Sequence, residues 1–554
     1  MRDQLVSAVN SAVEELFKVK LKSELSFTDE KFGDYSTNVA LQLANQLKQS
    51  PLSVAERLKT ALTKKLAHSV DEITIAGGGF INLHLSDKSL LQTARLAADY
   101  RPVVYGDQSI VIETNNPNPF KDLHIGHAYN SVVADTLANL LEKAGGQVHR
   151  VSYHGDVGLH VGKSMWAVLK RIDGSIDALN AVPEAERPQF LSQCYAEGAK
   201  AYESGESVKH EIEELAAQSF DLSDDLYRQV YEICKGWSFK YFDTILSSIG
   251  SQPVERKYME KEVDLAGEKI VEANIGTVFE KSDNAIIFPG ENYGLHTRVF
   301  ISSKGTTLYE ARDLGLIELK AKDFNPQSSY IVTAVEQKDY FEVVLKAADL
   351  CLPDLAGRTH NISTGMVKLP TGKMSSRRGD AVNIGWLFDV LTSALNKRGA
   401  TESSLHDGLV GALRYTMLKT HIGGDIVFDV NESISLEGNS GPYLQYAHAR
   451  ARSILTKKTV EISNTLDKLE KSERVLVRKI SQLPDTLDSA AKELSPQHLC
   501  NYLYELAQEF NKFYETNRII GDERESIRLD LVKNYADVLK NGLTLLGIPS
   551  PDRF

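Results

Sequence analysis

The chain has 554 residues, 42% of them hydrophobic and 25% charged, and its 63 Lys and Arg against 75 Asp and Glu leave a net charge of −12. That length exceeds what one core can organise, so roughly three or four domains are expected, and no apolar run is long enough to span a bilayer, which excludes a membrane protein. The acidic balance argues against a polyanion partner for the chain as a whole.

The N-terminus, Met1 to Asn10, reads as an amphipathic helix that fits neither a secretory signal nor a transit peptide, so a cytoplasmic location is expected. Residues 1 to about 50 read as helical, and Pro51 starts a further helix. Glu72 then leads through the Gly-rich turn at Gly77 to a strand from Phe80. This is a compact α+β module over residues 1–88. Within it Phe32-Gly-Asp-Tyr-Ser-Thr-Asn38 joins a loop to a helix, with Ser36, Thr37 and Asn38 as candidate caps.

After a linker at 100–106, Ser109 to Glu113 is a β-branched run of buried-strand type. Ala128 to Lys143 carries apolar residues at helical spacing. Between them lies Glu113-Thr-Asn-Asn-Pro-Asn-Pro-Phe-Lys-Asp-Leu-His-Ile-Gly-His127. The unit is strand, tight loop, helix. A helix start favours an anion, Gly126 removes a side chain there, and His124, His127 and Lys121 add donors and charge. An ordinary βα turn with a capping histidine remains the plain alternative.

Gln147 to Tyr153 is a second strand ending in His154-Gly-Asp-Val-Gly158, at the edge where open α/β sheets bind ligands. Residues of about 165–300 read as an insertion, helical at first and then short strands. Tyr309 and Asp313, four apart, share one helical face, and Gln337 stands at the end of a strand from Tyr330. Lys373-Met-Ser-Ser-Arg377, with Arg378, makes a cationic loop, either a plain surface loop or one that closes over phosphates. From about Leu405 the chain is almost wholly helical, with one long helix starting at Gly441-Pro442. There Lys and Arg outnumber acids from Arg450 to Lys479, a stripe that reads equally as a solvated face or an RNA-binding face. Cys194, Cys234, Cys351 and Cys500 lie far apart without a Cys-x-x-Cys pair, so neither a disulfide framework nor a structural metal is expected.

Together these segments resemble the class I aminoacyl-tRNA synthetases, and within them the arginyl-tRNA synthetases. His124-Ile-Gly-His127 resembles the first class signature and Lys373-Met-Ser-Ser-Arg377 the second, in the expected order. Phe32-Gly-Asp-Tyr-Ser-Thr-Asn38, Gly78-Gly-Phe-Ile-Asn82, Tyr309-x-x-Arg-Asp313 and Leu436-Glu-Gly-Asn-Ser-Gly-Pro-Tyr-Leu-Gln-Tyr-Ala-His-Ala-Arg450 resemble segments peculiar to the arginine enzymes. Two departures stand out. Ser376 replaces the usual lysine of the second signature, a loss that many arginine enzymes offset with a lysine three residues before the first signature, here Lys121. In His154-Gly-Asp-Val-Gly-Leu-His160 the family more often has an aromatic residue after the Asp and a Gln near the end.

The resemblance implies a multidomain α/β protein with three parts. These are an N-terminal module on the tRNA elbow (1–88), a Rossmann-type catalytic domain (105–395), and a helical anticodon-binding domain (400–554, core about 438–554). It implies that arginine and ATP, with Mg²⁺, form arginyl-adenylate and pyrophosphate, and that the arginyl group then passes to the 3′ end of tRNA(Arg), through the 2′-OH in class I. Lys121, His124, His127 and Lys373 would be catalytic. ATP would lie against His124, Gly126, His127, Lys373, Met374, Ser375 and Arg377. Arginine would meet Glu113, Asn118, His124, Tyr309, Asp313 and Gln337, and tRNA would meet Tyr446, Arg450 and Arg452. A monomer is expected. Two other readings share some motifs: a small-molecule adenylyltransferase, which needs no helical bundle, and a silent tRNA-binding paralogue, for which Ser376 speaks.

Overall fold

The computed structural model describes residues 1–370, 383–458 and 468–554. The N-terminal module packs the helices Arg2–Phe17, Val39–Leu47 and Pro51–Lys65 on a four-stranded antiparallel sheet. Residues 18–38 are not α-helical as the sequence suggested and hold only a 3-10 turn of helix at Glu30–Phe32. Lys18 turns left-handed at φ 57° and ends the first helix, and Tyr35–Thr37 then pairs with Ile81–Leu83. Aromatic and β-branched side chains at Tyr35 and Thr37 bury on that sheet, which outweighs any local helical pattern. Asn38 takes the N-cap position of the next helix but makes no side-chain cap; of the candidate caps it is Thr37 whose Oγ1 accepts from the Val39 amide at 3.3 Å.

The central domain is built on five parallel strands. In chain order these are β1 (Ser109–Asn115), β2 (Gln147–His154), β3 (Arg256–Met259), β4 (Ser328–Ala334) and β5 (Thr359–Thr364), and across the sheet they lie β5-β4-β1-β2-β3. Helix α1 (Ile125–Lys143) links β1 to β2, α2 (Glu260–Ala273) follows β3, α3 (Tyr309–Phe324) precedes β4, and α4 (Lys338–Cys351) links β4 to β5. The chain winds outward from β1 to β3 and then returns to place β4 on the other side of β1. That reversal opens a crevice beyond the carboxyl ends of β1 and β4. The middle of β1 is buried on both faces, which is why it reads as a continuous apolar run. β3 lies within the stretch expected as one insertion. The chain therefore leaves the sheet twice, once through the helices between Leu159 and Ser248 and once through a small antiparallel sheet at 280–301.

The last third is helical, with helices Gly441–Leu455, Lys471–Ile480, Leu483–Lys492, Pro496–Thr516 and Glu525–Leu545. Ser440 caps the first of these through the Tyr443 amide, and Pro442 occupies its first turn. Arg414 ties this bundle to the catalytic domain. Its guanidinium is wholly buried and donates to the carbonyls of Leu546 and Ile249, to Asp135 of α1 at 2.8 Å and to Thr136. Much of the basic stripe is spent inside the protein. Arg474 and Arg478 both reach buried Asp34 of the N-terminal module, Arg474 also meets Asp87, and Lys479 pairs with Glu505. The pairs to Asp34 and Asp87 fasten the first domain to the last. Cys194, Cys234 and Cys500 are buried packing residues and Cys351 is partly buried, all reduced. No helix among the described residues is long and apolar enough to cross a membrane.

Candidate active site

The carboxyl ends of all five strands and the start of α1 enclose a cavity of about 790 Å³. Its floor is the segment after β1. Phe120, fully buried with φ 65°, anchors the loop by donating its amide to Ser238 Oγ and accepting from Ser164 Oγ. Prolines 117 and 119 keep the loop extended. His154, at the end of β2, braces the same loop through Nδ1 to the Pro117 carbonyl at 2.6 Å.

At one end lie His124 and His127, with ring centroids 3.7 Å apart. His124 is the N-cap of α1, and its amide donates to Nδ1 of His127 at 3.3 Å. A Cβ on Gly126 would stand 3.0 Å from the His124 ring, so glycine is what lets that ring lie across the helix start. Burial lowers both imidazoles, His127 to about 3. They are therefore neutral hydrogen-bonding groups at pH 7, not the charges the sequence suggested. Positive potential comes from the aligned peptide dipoles at the start of α1. His124 Nδ1 has no partner within the described structure. Lys121 adjoins this end but does not line the cavity. Its ammonium lies 5.5 Å from the centre of the Tyr195 ring, and burial followed by repulsion from Lys163 lowers its pKa.

At the other end the cavity is acidic. Asp313, in the second turn of α3, accepts from the Tyr340 hydroxyl at 2.5 Å through Oδ2, and among the described residues Oδ1 accepts no hydrogen bond. Burial, reinforced by Glu113, pushes Asp313 up to about 7. Glu113 is more committed. Its Oε1 pairs with buried Lys320 at 2.6 Å and its Oε2 accepts from Asn116 at 2.7 Å. Tyr309 is exposed and lines the mouth one turn before Asp313. Asn118 Oδ1 accepts from the Gly155 amide at 2.8 Å, and exposed Gln337 stands just beyond β4.

The structure thus brings Glu113, Asn118, His124, Gly126, His127, Tyr309, Asp313 and Gln337 to one cavity. Lys373, Met374, Ser375 and Arg377 lie outside the described residues. The chain re-enters at Asn383, which bridges to His124 and caps the next helix through the Gly385 amide. Tyr446, Arg450 and Arg452 are remote, on the helical bundle. Arg450 donates to the Tyr446 hydroxyl and to Asn511 and lies over the rings of Tyr446 and Tyr514, while Arg452 pairs with Asp552.

Sequence reasoning missed Tyr340, Lys320, Glu260, Tyr153 and the wall formed by Asn130, Thr364 and Met366. Thr364 Oγ1 donates to Asn130 Oδ1 at 2.6 Å, joining the end of β5 to α1. Tyr153 and Thr364 stand at the carboxyl ends of β2 and β5 and Glu260 directly follows β3, so strand-end position was a signal for those three, whereas Tyr340, Lys320 and Asn130 lie on helices that carry no such signal. Asp156, which the strand-end position made a ligand candidate, is instead buried under the Tyr231 hydroxyl and the Lys261 amide. His160 donates to the Gly155 carbonyl at 2.9 Å and burial lowers it to about 4, so this departure from the family pattern is a neutral wall brace. Among the described residues no cluster of His, Cys, Asp or Glu is suited to hold a metal ion.

Residues 90–404 match the family described as tRNA synthetases class I (R), catalytic domain. Residues 2–85 match the arginyl tRNA synthetase N terminal domain, and residues 444–554 match the DALR anticodon binding domain. The chain is 27% identical to an arginine--tRNA ligase of Flavobacterium psychrophilum with 100% of each chain covered. It is 28% identical to that of Borreliella afzelii, over 93% of this chain and 92% of the relative. Its fold is similar to the solved structure of Thermus thermophilus arginyl-tRNA synthetase, with a TM-score of 0.82 at 22% identity over 100% of both chains. A Plasmodium falciparum arginyl-tRNA synthetase structure gives 0.81 at 19% identity, over 100% of this chain and 99% of that one.

Proposed function

The chain belongs to the class I arginyl-tRNA synthetases and charges tRNA(Arg) with arginine, and from that premise we propose that the two ends of the cavity at the strand ends divide the work. The supporting observation is polarity: neutral histidines over a helix N-terminus at one end, the Asp313–Tyr340 pair and Glu113 at the other. The anion end takes the phosphates of ATP and the acidic end takes the guanidinium. Arginine's carboxylate then faces the α-phosphate between them.

The first step is an in-line displacement at phosphorus, so the protein's part is alignment and stabilisation of charge on the phosphate oxygens. His124 and His127 donate to those oxygens as neutral imidazoles, and Lys121, turning from Tyr195, supplies the cation that Ser376 does not. By resemblance, Lys373 and Arg377 of the second signature supply further charge to the phosphates, and Gly126, Met374 and Ser375 serve nucleotide binding. Mg²⁺ accompanies the phosphates and contributes further neutralisation there. Asp313 offers a carboxylate to the planar guanidinium, Tyr309 covers it at the mouth, and Glu113, fixed by Lys320 and Asn116, forms the wall that sets its reach. Asn118 and Gln337 orient the α-groups. A lysine substrate would leave Asp313 with an incomplete set of donors at a cost of about 1 to 3 kcal/mol.

In the second step the terminal ribose hydroxyl of tRNA(Arg) takes the arginyl group. The helical domain holds the anticodon, with the exposed Tyr446, Tyr514 and Arg450 face as the stacking surface and Arg452 beside it, and the N-terminal module meets the elbow. The enzyme works as a cytoplasmic monomer. The test is arginine-dependent ATP–pyrophosphate exchange with and without tRNA(Arg), on the wild type and on Lys121→Ala. Exchange in the wild type that falls about 100-fold or more in the variant, with arginine KM unchanged, is the expected result. Full exchange in the variant would sink the role of Lys121, and no exchange in the wild type would revive a silent tRNA-binding paralogue.

A further inference from the structure

The helices inserted between β2 and β3 have no role in the scheme above, yet one of them touches the loop that carries Lys121. The helix Arg187–Tyr202 presents Ser192, Tyr195, Gly198 and Tyr202 at spacings of three, three and four residues, which is one face. Ser192 Oγ donates to Asp122 Oδ2 at 2.6 Å, and the Lys121 ammonium lies 5.5 Å from the centre of the Tyr195 ring. Tyr202 takes Lys163 of the helix Leu159–Ile172 in the same way, with that ammonium 4.5 Å from its ring. Gly198 sets the approach of the two helices, because a Cβ there would collide with the Lys163 carbonyl. One helix face thus holds two lysines apart, each over its own ring. Among the described residues the Lys121 ammonium makes no hydrogen bond or ion pair, so the Tyr195 ring is what receives it.

A partly buried lysine beside another lysine loses its proton more readily, and a neutral amine would add no charge at a phosphate. An aromatic face opposes that loss, because its negative quadrupole favours the ammonium over the amine. It also holds the ammonium too weakly to compete with a triphosphate. We propose that Tyr195 is a positioning residue for Lys121, its ring keeping the ammonium charged and beside the cavity until the phosphates of ATP draw it in. This rests on reading Lys121 as the cation of the activation step. The other groups facing this ammonium are Lys163 and His160 from the helix Leu159–Ile172, His124 and His127 from α1, and Glu260 from α2. Burial, then Lys163, lowers the Lys121 pKa, and Glu260 opposes them. The three histidines are neutral at pH 7 and stay so above it.

The test is ATP–pyrophosphate exchange by the full-length enzyme with saturating arginine and tRNA(Arg), read as kcat/KM for ATP from pH 6.5 to 9. Each variant is expressed as a ratio to the wild type, which cancels the titration of Asp313 and Glu260 common to both. The ammonium is lost as pH rises, so a weakened seat shows at the alkaline end. Tyr195→Leu is expected to fall about 3- to 10-fold below the wild type at pH 9 and to stay within about twofold at pH 6.5, with arginine KM unchanged. Tyr195→Phe, which keeps the ring, should stay within about twofold throughout. On a Lys121→Ala background Tyr195→Leu should cost nothing further at any pH, because the two residues act as one unit. Pentafluorophenylalanine at position 195 keeps the shape of the ring and reverses its quadrupole, so it should repeat the alkaline loss even where the leucine variant fails to fold. An equal loss at every pH, or the same loss on the Lys121→Ala background, is the mark of a packing residue and would overturn the proposal. So would wild-type activity at pH 9 with either the leucine or the fluorinated ring. Full exchange by Lys121→Ala would sink the reading of Lys121 itself, whereas an impaired Lys121→Ala beside an unaffected Tyr195→Leu sinks this proposal alone.

Discussion

Tyr340→Phe removes one oxygen and tests how the acidic end of the cavity works. The Tyr340 hydroxyl donates to Asp313 Oδ2 at 2.5 Å and is the largest influence holding this carboxyl down, against the burial that pushes it up to about 7. A hydrogen bond to a charged group contributes about 1.5 to 3 kcal/mol, or about 1 to 2 pKa units, so the variant's Asp313 should titrate near 8 to 9. The sign follows from which form binds. A guanidinium needs the ionised carboxylate, so arginine affinity falls as pH drops through the free-enzyme pKa and levels off above it. At pH 7 about half of the wild-type carboxyl is ionised, against about 1 to 10% in the variant, and arginine KM should rise roughly 5- to 50-fold. Above about pH 9.5 the two proteins should agree within about twofold. The assay is arginine KM from pyrophosphate exchange with tRNA(Arg) present, measured from pH 6 to 9.5. A KM increase of the same size at every pH would refute the reasoning, because loss of shape alone is independent of protonation.

The remaining predictions concern the joints between domains. Arg414→Met takes from the fully buried Asp135 its 2.8 Å guanidinium partner, leaving it Arg150 at 3.7 Å and the Gln252 amide, and withdraws the Arg414 donors from three further acceptors, a loss of about 3 to 5 kcal/mol. Differential scanning fluorimetry should show a lowered first transition, and an unchanged melt would remove Arg414 as the tie between the catalytic domain and the helical bundle. Asp34→Asn keeps the shape of a residue that is 1% exposed but withdraws the charge facing Arg474 and Arg478. With about 2 to 4 kcal/mol of docking lost, the linker between the N-terminal module and β1 should become protease-sensitive. Wild-type resistance in that variant would mean the interface does not depend on the pair.

The elements that local pattern encodes were legible in the chain. The i, i+3 pair His124 and His127 beside Gly126, the i, i+4 pair Tyr309 and Asp313, and the strand ends before Asn118 and Gln337 all depend on spacing within a turn or a pleat, and the cavity gathers them. Where local pattern competes with pairing across the chain, it misleads: residues 18–38 read as helix until Tyr35 finds Leu83. The basic stripe shows the same limit. Arg474 and Arg478 read equally as a solvated face or a face for RNA, but they lie 440 and 444 residues from the Asp34 that takes them.

Only the tertiary structure decided which charges meet and which are extinguished. Glu113 is 207 residues from Lys320, and Glu260 is 52 from Arg312, so no periodicity in the sequence could pair them. The order β5-β4-β1-β2-β3 brings those strand ends to one edge. The histidines are likewise identified by spacing, but their neutrality comes from burial under elements far along the chain. Sequence thus specifies the chemical groups and their local facing, because those depend on near neighbours. Charge state and partners depend on desolvation and on sheet order, which exist only once the chain has closed on itself.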